Sequence, residues 1–273
     1  MKKEIKFLTA SALFTLLLLM VSGTFDGILQ TVTYICAFLL PAFICLYMYF
    51  KGEKKSKILS SEWLAVKGEG IAFSVCAMPL AILLTLSVSV VTALLLGLFG
   101  FEKTTVINEP PLLAILLHAL LPALLEEISF RYLPLRILGK RAPRFTVFFS
   151  AALFSLLHHS LYSIPYALVA GVIFMTVDLA FESVIPSIFI HFVNNVVALL
   201  TIGALGVRAE LYVVFIVLGA LSLLSALVLL LFARRAVIKA ASVFVGEQTS
   251  VFPSEILFLA APSILLAVLE LWG

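Results

Sequence analysis

The sequence predicts an all-α fold, a polytopic bundle of eight to nine transmembrane helices with its N-terminus in the cytoplasm. Three observations predict it. Hydrophobic residues make up 63% of the 273 positions and charged residues only 12%, with a mean hydropathy of +1.21. That balance belongs to multi-pass membrane chains rather than to water-soluble domains. The apolar residues come in runs long enough to cross a bilayer, and in hydrocarbon such runs must be helical, because each backbone N–H and C=O needs an internal partner. The basic residues gather in short clusters at the ends of alternate runs, as orientation signals do. The formal net charge of +3 sits in these clusters and implies no nucleic-acid partner. The expected surroundings are lipid, and the expected location is the cell membrane.

In chain order, residues 7–23 form a first leucine-rich span behind a basic start. A small-residue stretch at Val21-Ser22-Gly23 would also suit a cleaved leader, but a retained helix is the favoured reading. Residues 28–50 form a second span interrupted by Pro41, and residues 70–101 a long third span containing Pro79. Between them lie a basic cluster and Trp63, placed like an interfacial anchor. Spans four to seven are expected over 112–139, 145–159, 166–181 and 187–205, the eighth over 211–232 and a ninth over 254–272. Cys36, Cys45 and Cys76 lie in apolar runs without a paired spacing and are expected to be small buried residues, neither disulfides nor metal ligands.

Orientation follows from Lys and Arg. With the N-terminus inside, the inner segments hold Lys2, Lys3, Lys6, Lys51, Lys54, Lys55, Lys57, Lys67, Lys140, Arg141, Arg144, Arg234, Arg235 and Lys239. The outer loops hold only Lys103 and Arg208, and no loop contradicts the positive-inside rule.

The chemistry centres on Leu121-Pro-Ala-Leu-Leu-Glu-Glu-Ile-Ser-Phe-Arg131 in span four. A charge at membrane depth costs about 2.5 kcal/mol or more on insertion scales and marks function by default. Glu127 and Arg131 are four apart on one helical face and can pair. Glu126 points about 100° away and has no sequence-local cation, as suits a general base. Pro122 is expected to free a carbonyl and kink the helix. All four histidines, His118, His158, His159 and His191, lie in predicted spans, and His191 and Asn195 share a face of span seven. Asn194 points elsewhere, toward a neighbouring helix. Three separate helices thus bring acid–base or hydrogen-bonding groups together.

Glu126-Glu127-x-x-x-Arg131, Phe154-x-x-x-His158 and His191-x-x-x-Asn195 resemble the three motifs of the CAAX protease and bacteriocin-processing family of intramembrane peptidases. The resemblance covers residues 112–200 and divides the chain into N-terminal spans (1–111), a catalytic core (112–205) and C-terminal spans (206–273). It implies an intramembrane endopeptidase acting on a membrane-associated protein or peptide. In that reading Glu126 activates water with help from His158, Glu127 and Arg131 form a supporting ion pair, and His191 and Asn195 stabilise the oxyanion. No cofactor is favoured. If zinc is used, its ligands would be Glu126, His158 and His191.

Two other readings stand beside it: a proton-coupled transporter, and a catalytically silent immunity or scaffold protein of the same fold. The absence of an internal repeat argues against the first, and the intact motifs argue against the second. His118 is expected to contact a neighbouring helix, His159 to pack or line a cavity, and Asp178 to be a solvated or capping group near a helix end. Counting depth from Gly139 puts Glu126 about 20 Å into the membrane but His191 only about 8 Å beyond Pro186. The motifs then meet only if the 182–186 turn is drawn inward or spans four and five extend into the cytosol. Some of both is expected, and the 182–186 turn should then line a water-filled cavity open to the cytoplasm.

Overall fold

The computed structural model describes residues 1–51, 61–101, 107, 109–139, 141–203, 210–245, 254 and 256–271, and these are helical with no strand among them. Of the basic residues used for orientation, Lys54, Lys55, Lys57, Lys103, Lys140 and Arg208 lie outside the described residues. The helices are α1 (Lys2–Ser22), α2 (Gly27–Tyr49), α3 (Gly68–Gly97), α4 (Pro111–Leu138), α5 (Pro143–Leu157), α6 (Ile164–Phe181), α7 (Ile185–Ile202), α8 (Leu211–Phe232), α9 (Arg234–Ser242) and α10 (Ile256–Glu270). Seven of them are long and apolar enough to cross a membrane, while α5 and α10 are shorter apolar helices. Each of the nine expected apolar segments is therefore a helix. The chain is a multi-pass membrane protein. Its outward leucines and phenylalanines, among them Leu98, Leu223 and Phe232, are exposed, as a lipid-facing surface requires.

Successive helices alternate in direction, so the bundle mixes antiparallel and parallel neighbours. The α1–α2 hairpin packs on α4, while α3 packs against α6, α7 and α8. The tightest pair is α5 with α6. A Cβ at Gly171 of α6 would stand 2.8 Å from Ala151 Cα of α5, so only glycine permits that approach. The short helix α9, read in the sequence only as a charge cluster closing span eight, is a separate element against α6.

Ion pairs and hydrogen bonds tie one end of the bundle together. Glu4 meets the Tyr49 hydroxyl at 3.1 Å and Arg141 at 3.8 Å. Arg136 reaches Glu62 at 3.8 Å, Lys67 reaches Glu182 at 3.4 Å, and Lys239 reaches Glu69 at 3.2 Å. The start of α1, the end of α2, the α4–α5 turn, the α6–α7 turn and α9 therefore share a basic end. The α1–α2 turn, Gly100 and Glu109 lie at the other.

Four expectations fail here. Cys36 is exposed rather than buried, although all three cysteines are free. Asp178 is not solvated: it is completely buried, because α6 continues past it and the turn folds back over it, the backbone N–H of Ser183 donating to the Asp178 carbonyl at 3.2 Å. The 182–186 turn lines neither of the two cavities that reach Glu126. Ser183 and Ser187 are fully buried, and the segment preceding α3 plugs the turn. Ser183 donates to the Ala65 carbonyl at 2.7 Å, and the Val184 N–H donates to the Trp63 carbonyl at 2.9 Å. Trp63 is accordingly buried beneath the turn rather than set at an interface.

Candidate active site

Helix α4 carries two wide turns, over Leu116–Leu120 and Ile128–Tyr132, in which hydrogen bonds run i→i−5. Each ends two residues before a proline, Pro122 and Pro134. A proline has no N–H to give the ladder, and the wide turn absorbs the fault without breaking the helix. Such π-type turns recur at functional sites. Here they bracket Glu126 and Glu127.

The two glutamates diverge as their spacing predicts. Glu127 is completely buried, and Arg131 Nε lies 3.2 Å from its Oε2. The guanidinium is sandwiched by aromatic faces, 4.2 Å from the Phe154 ring centre and 5.4 Å from that of Phe174, a favourable place for a cation. Asp178 shares this dry space with Glu127 and Arg131, and Ser187 lies against both carboxylates. The side chain of Glu126, in contrast, is 14% exposed and opens onto two cavities. The Tyr34 hydroxyl of α2 donates to its Oε1 at 3.3 Å.

His191 joins the two halves. Its Nδ1 is 2.8 Å from Glu127 Oε1, and its Nε2 is 3.7 Å from Glu126 Oε2. Donation of Nδ1–H to the Glu127 carboxylate fixes the tautomer and turns Nε2 toward the cavity. Phe154 and Phe174 hold the ring, with centroids at 5.8 and 5.4 Å. His158 caps α5, and its Nδ1 donates to the Phe154 carbonyl at 3.0 Å, which again leaves Nε2 free. The Asn195 amide donates to the Ala119 carbonyl at 3.5 Å in the first wide turn. Asn194 accepts from Thr85 of the neighbouring α3 at 2.9 Å, yet it also lines the small cavity beside Asn195.

Glu126, His158, His191 and Asn195 all line one small cavity of about 210 Å³, so the structure brings these four predicted residues together. It also adjoins a larger one of about 810 Å³, which shares Glu126 and His158 and runs between α1, α2 and α4. Glu127 and Arg131 stand behind this wall. His159 adopts a positive φ of 32° where the chain turns after α5 and lines the larger cavity. His118 lies 3.6 Å from Glu109 and lines both. Among the described residues no three His, Cys, Asp or Glu side chains are grouped so as to hold a metal ion. The zinc set Glu126, His158 and His191 does not fit such a site as arranged here.

The motifs meet because the depth reference differs from the one counted in sequence. The 182–186 turn sits level with Arg136, both being tied to the segment 62–67, and α4 runs on beyond that level. Glu127 is nine residues above Arg136 and His191 seven above Val184, about 13 and 10 Å.

Sequence reasoning missed Tyr34, Tyr166 and Ser187. Tyr166 packs its ring 6.1 Å from that of His158 and lines the small cavity. A tyrosine beside Thr31 and Thr33 in an apolar span was the available signal for the first. Nothing distinguished the other two.

A glutamate, two histidines and an asparagine thus surround one cavity within a helical, membrane-spanning core. Residues 108–197 match the model of the family described as Type II CAAX prenyl endopeptidase Rce1-like. The matched segment, about a third of the chain, holds all three motifs, so this core is similar to that family of membrane peptidases. No curated protein and no solved structure matches the chain.

Proposed function

We propose that the chain is an intramembrane endopeptidase that hydrolyses a peptide bond of a membrane-associated protein or peptide, with water activated by Glu126. One observation carries this reading: of two adjacent buried-helix carboxylates, only Glu126 faces a cavity, and His158, His191 and Asn195 face the same one.

The geometry supports a division of labour. Glu126 accepts a proton from the attacking water as its oxygen bonds to the substrate carbonyl carbon, and later returns it to the leaving amine. The Tyr34 hydroxyl fixes one carboxylate oxygen, leaving the other toward the cavity. His158 and His191 each have one ring nitrogen held by the protein and the other free at the site. His191 acts through Nε2, kept in register by Glu127. Asn195 spends one amide hydrogen on Ala119 and has a second to offer the oxyanion. Donors fixed in advance are what stabilise developing charge most efficiently. The Glu127–Arg131 pair holds His191 and touches no substrate. No step needs a bound metal.

The test is cleavage of a peptide library by purified protein in H₂¹⁸O, compared with Glu126→Ala. New C-termini carrying ¹⁸O with the native chain, and none with the variant, are expected. Equal products from both proteins would overturn the assignment.

A further inference from the structure

Resting on that reading, we propose that the substrate reaches Glu126 from the non-cytoplasmic side of the membrane. The substrate class is then a peptide segment exposed at, or inserted from, the outer leaflet, not a cytoplasmic C-terminal tail.

The basic end of the bundle is closed. Below Glu127 the chain stacks Arg131, Asp178, Ser187 and Ser183, all without solvent exposure, over the buried Trp63. The hydrogen bonds from Ser183 and Val184 to the 63–65 backbone seal the α6–α7 turn. Among the described residues this leaves no passage along α4 from the basic end to Glu126.

Toward the opposite end, the described residues leave a continuous cavity. The larger cavity begins between Ser22, Gly27 and Gln30 at the α1–α2 turn and Glu109 at the start of α4, and it ends on Glu126 and His158. Along it the apolar residues Ile28, Leu113, Leu117 and Leu121 make the wall. Its volume of about 810 Å³ lies within the range of occupied binding sites. Such a wall suits a peptide with large apolar residues beside the scissile bond. The polar side chains stand at the mouth, where a substrate backbone would leave water.

Charge fixes which end is which. The closed end carries Lys2, Lys3, Lys6, Lys67, Arg136, Arg141, Arg144, Arg234, Arg235 and Lys239, and no described Lys or Arg lies at the open end. The positive end faces the cytoplasm, so the mouth faces outward. The two ends also differ in depth: Glu126 lies about 22 Å from Pro111 and about 15 Å from Arg136. The shorter route is the blocked one.

The experiment uses the full chain in membrane vesicles, with Cys36, Cys45 and Cys76 replaced by serine. Single cysteines are placed at Gln30 in the mouth, at Leu121 on the deep wall and at Ser61 at the basic end. Each is treated with a charged, impermeant methanethiosulfonate in right-side-out and in inverted vesicles, with detergent-solubilised protein as the reactivity control. Gln30→Cys and Leu121→Cys should react in right-side-out vesicles and be spared in inverted ones, with Ser61→Cys showing the reverse. Reaction of Leu121→Cys from the inverted side, from both sides, or only in detergent would overturn the outward route. A charged, quenched fluorescent peptide mixture then separates access from chemistry. Cleavage confined to right-side-out vesicles supports both. Cleavage confined to inverted vesicles rejects the route and keeps the peptidase. Outward labelling without cleavage in either orientation keeps the route and rejects the peptidase.

Discussion

The two sides of α4 differ in what surrounds the same chemical group. On one side Glu127 is sealed among Arg131, Asp178, Ser187 and two aromatic rings. On the other Glu126 meets a tyrosine hydroxyl and two cavities. A single residue step of about 100° separates a structural ion pair from a group able to exchange protons with water. The sealed side holds His191 through Nδ1 at 2.8 Å, and its Nε2 lies 3.7 Å from Glu126 on the open side. In the proposed reaction, reactivity comes from access, with geometry supplied from behind.

If the sealed side is structural, Arg131→Met should be the most damaging change to stability. It strands Glu127 and Asp178 without their cation, a loss of about 3–5 kcal/mol, read as a fall in the thermal midpoint of purified protein. The double change Glu127→Gln with Arg131→Met should recover part of that loss. A stable single variant would break the contrast. A smaller effect, about 1–3 kcal/mol of overpacking, is expected from Gly171→Val, because the new side chain would collide with Ala151 and move α5, which ends at His158. Stability and peptidase activity should fall together there.

The nine apolar segments and the three motifs were legible because hydrocarbon forces apolar runs into helices and makes each buried charge conspicuous. The divergence of Glu126 from Glu127 was likewise legible from helical spacing. Tyr34 was not, since it stands 92 residues from Glu126 and a tyrosine in a span normally packs. Asp178 was misjudged because proximity to a helix end reads as exposure, whereas the following turn folds over it. A cavity at the 182–186 turn was expected because the sequence does not show that the 63–65 backbone covers that turn.

On the open side the expected effects are smaller and confined to turnover. Tyr34→Phe removes one hydrogen bond to Glu126, worth about 1 kcal/mol. The expected result is a fall in kcat of about fivefold with the thermal midpoint unchanged, and loss of stability instead would assign Tyr34 to packing. The least change is expected from metal removal. Dialysis against a chelator should leave peptidase activity intact, and loss restored by zinc would recast Glu126, His158 and His191 as ligands.

The most direct measurement compares Glu126→Gln with Glu127→Gln, recording peptide hydrolysis and thermal midpoint for each. The amide is nearly isosteric with the carboxylate but cannot take the proton. Glu126→Gln should lower kcat by about 10²–10⁴-fold in a protein as stable as the native one. Glu127→Gln should destabilise the fold by about 3–5 kcal/mol through the unpaired Arg131. A Glu126→Gln variant that retains full activity, or one that loses activity only by unfolding, would contradict the account.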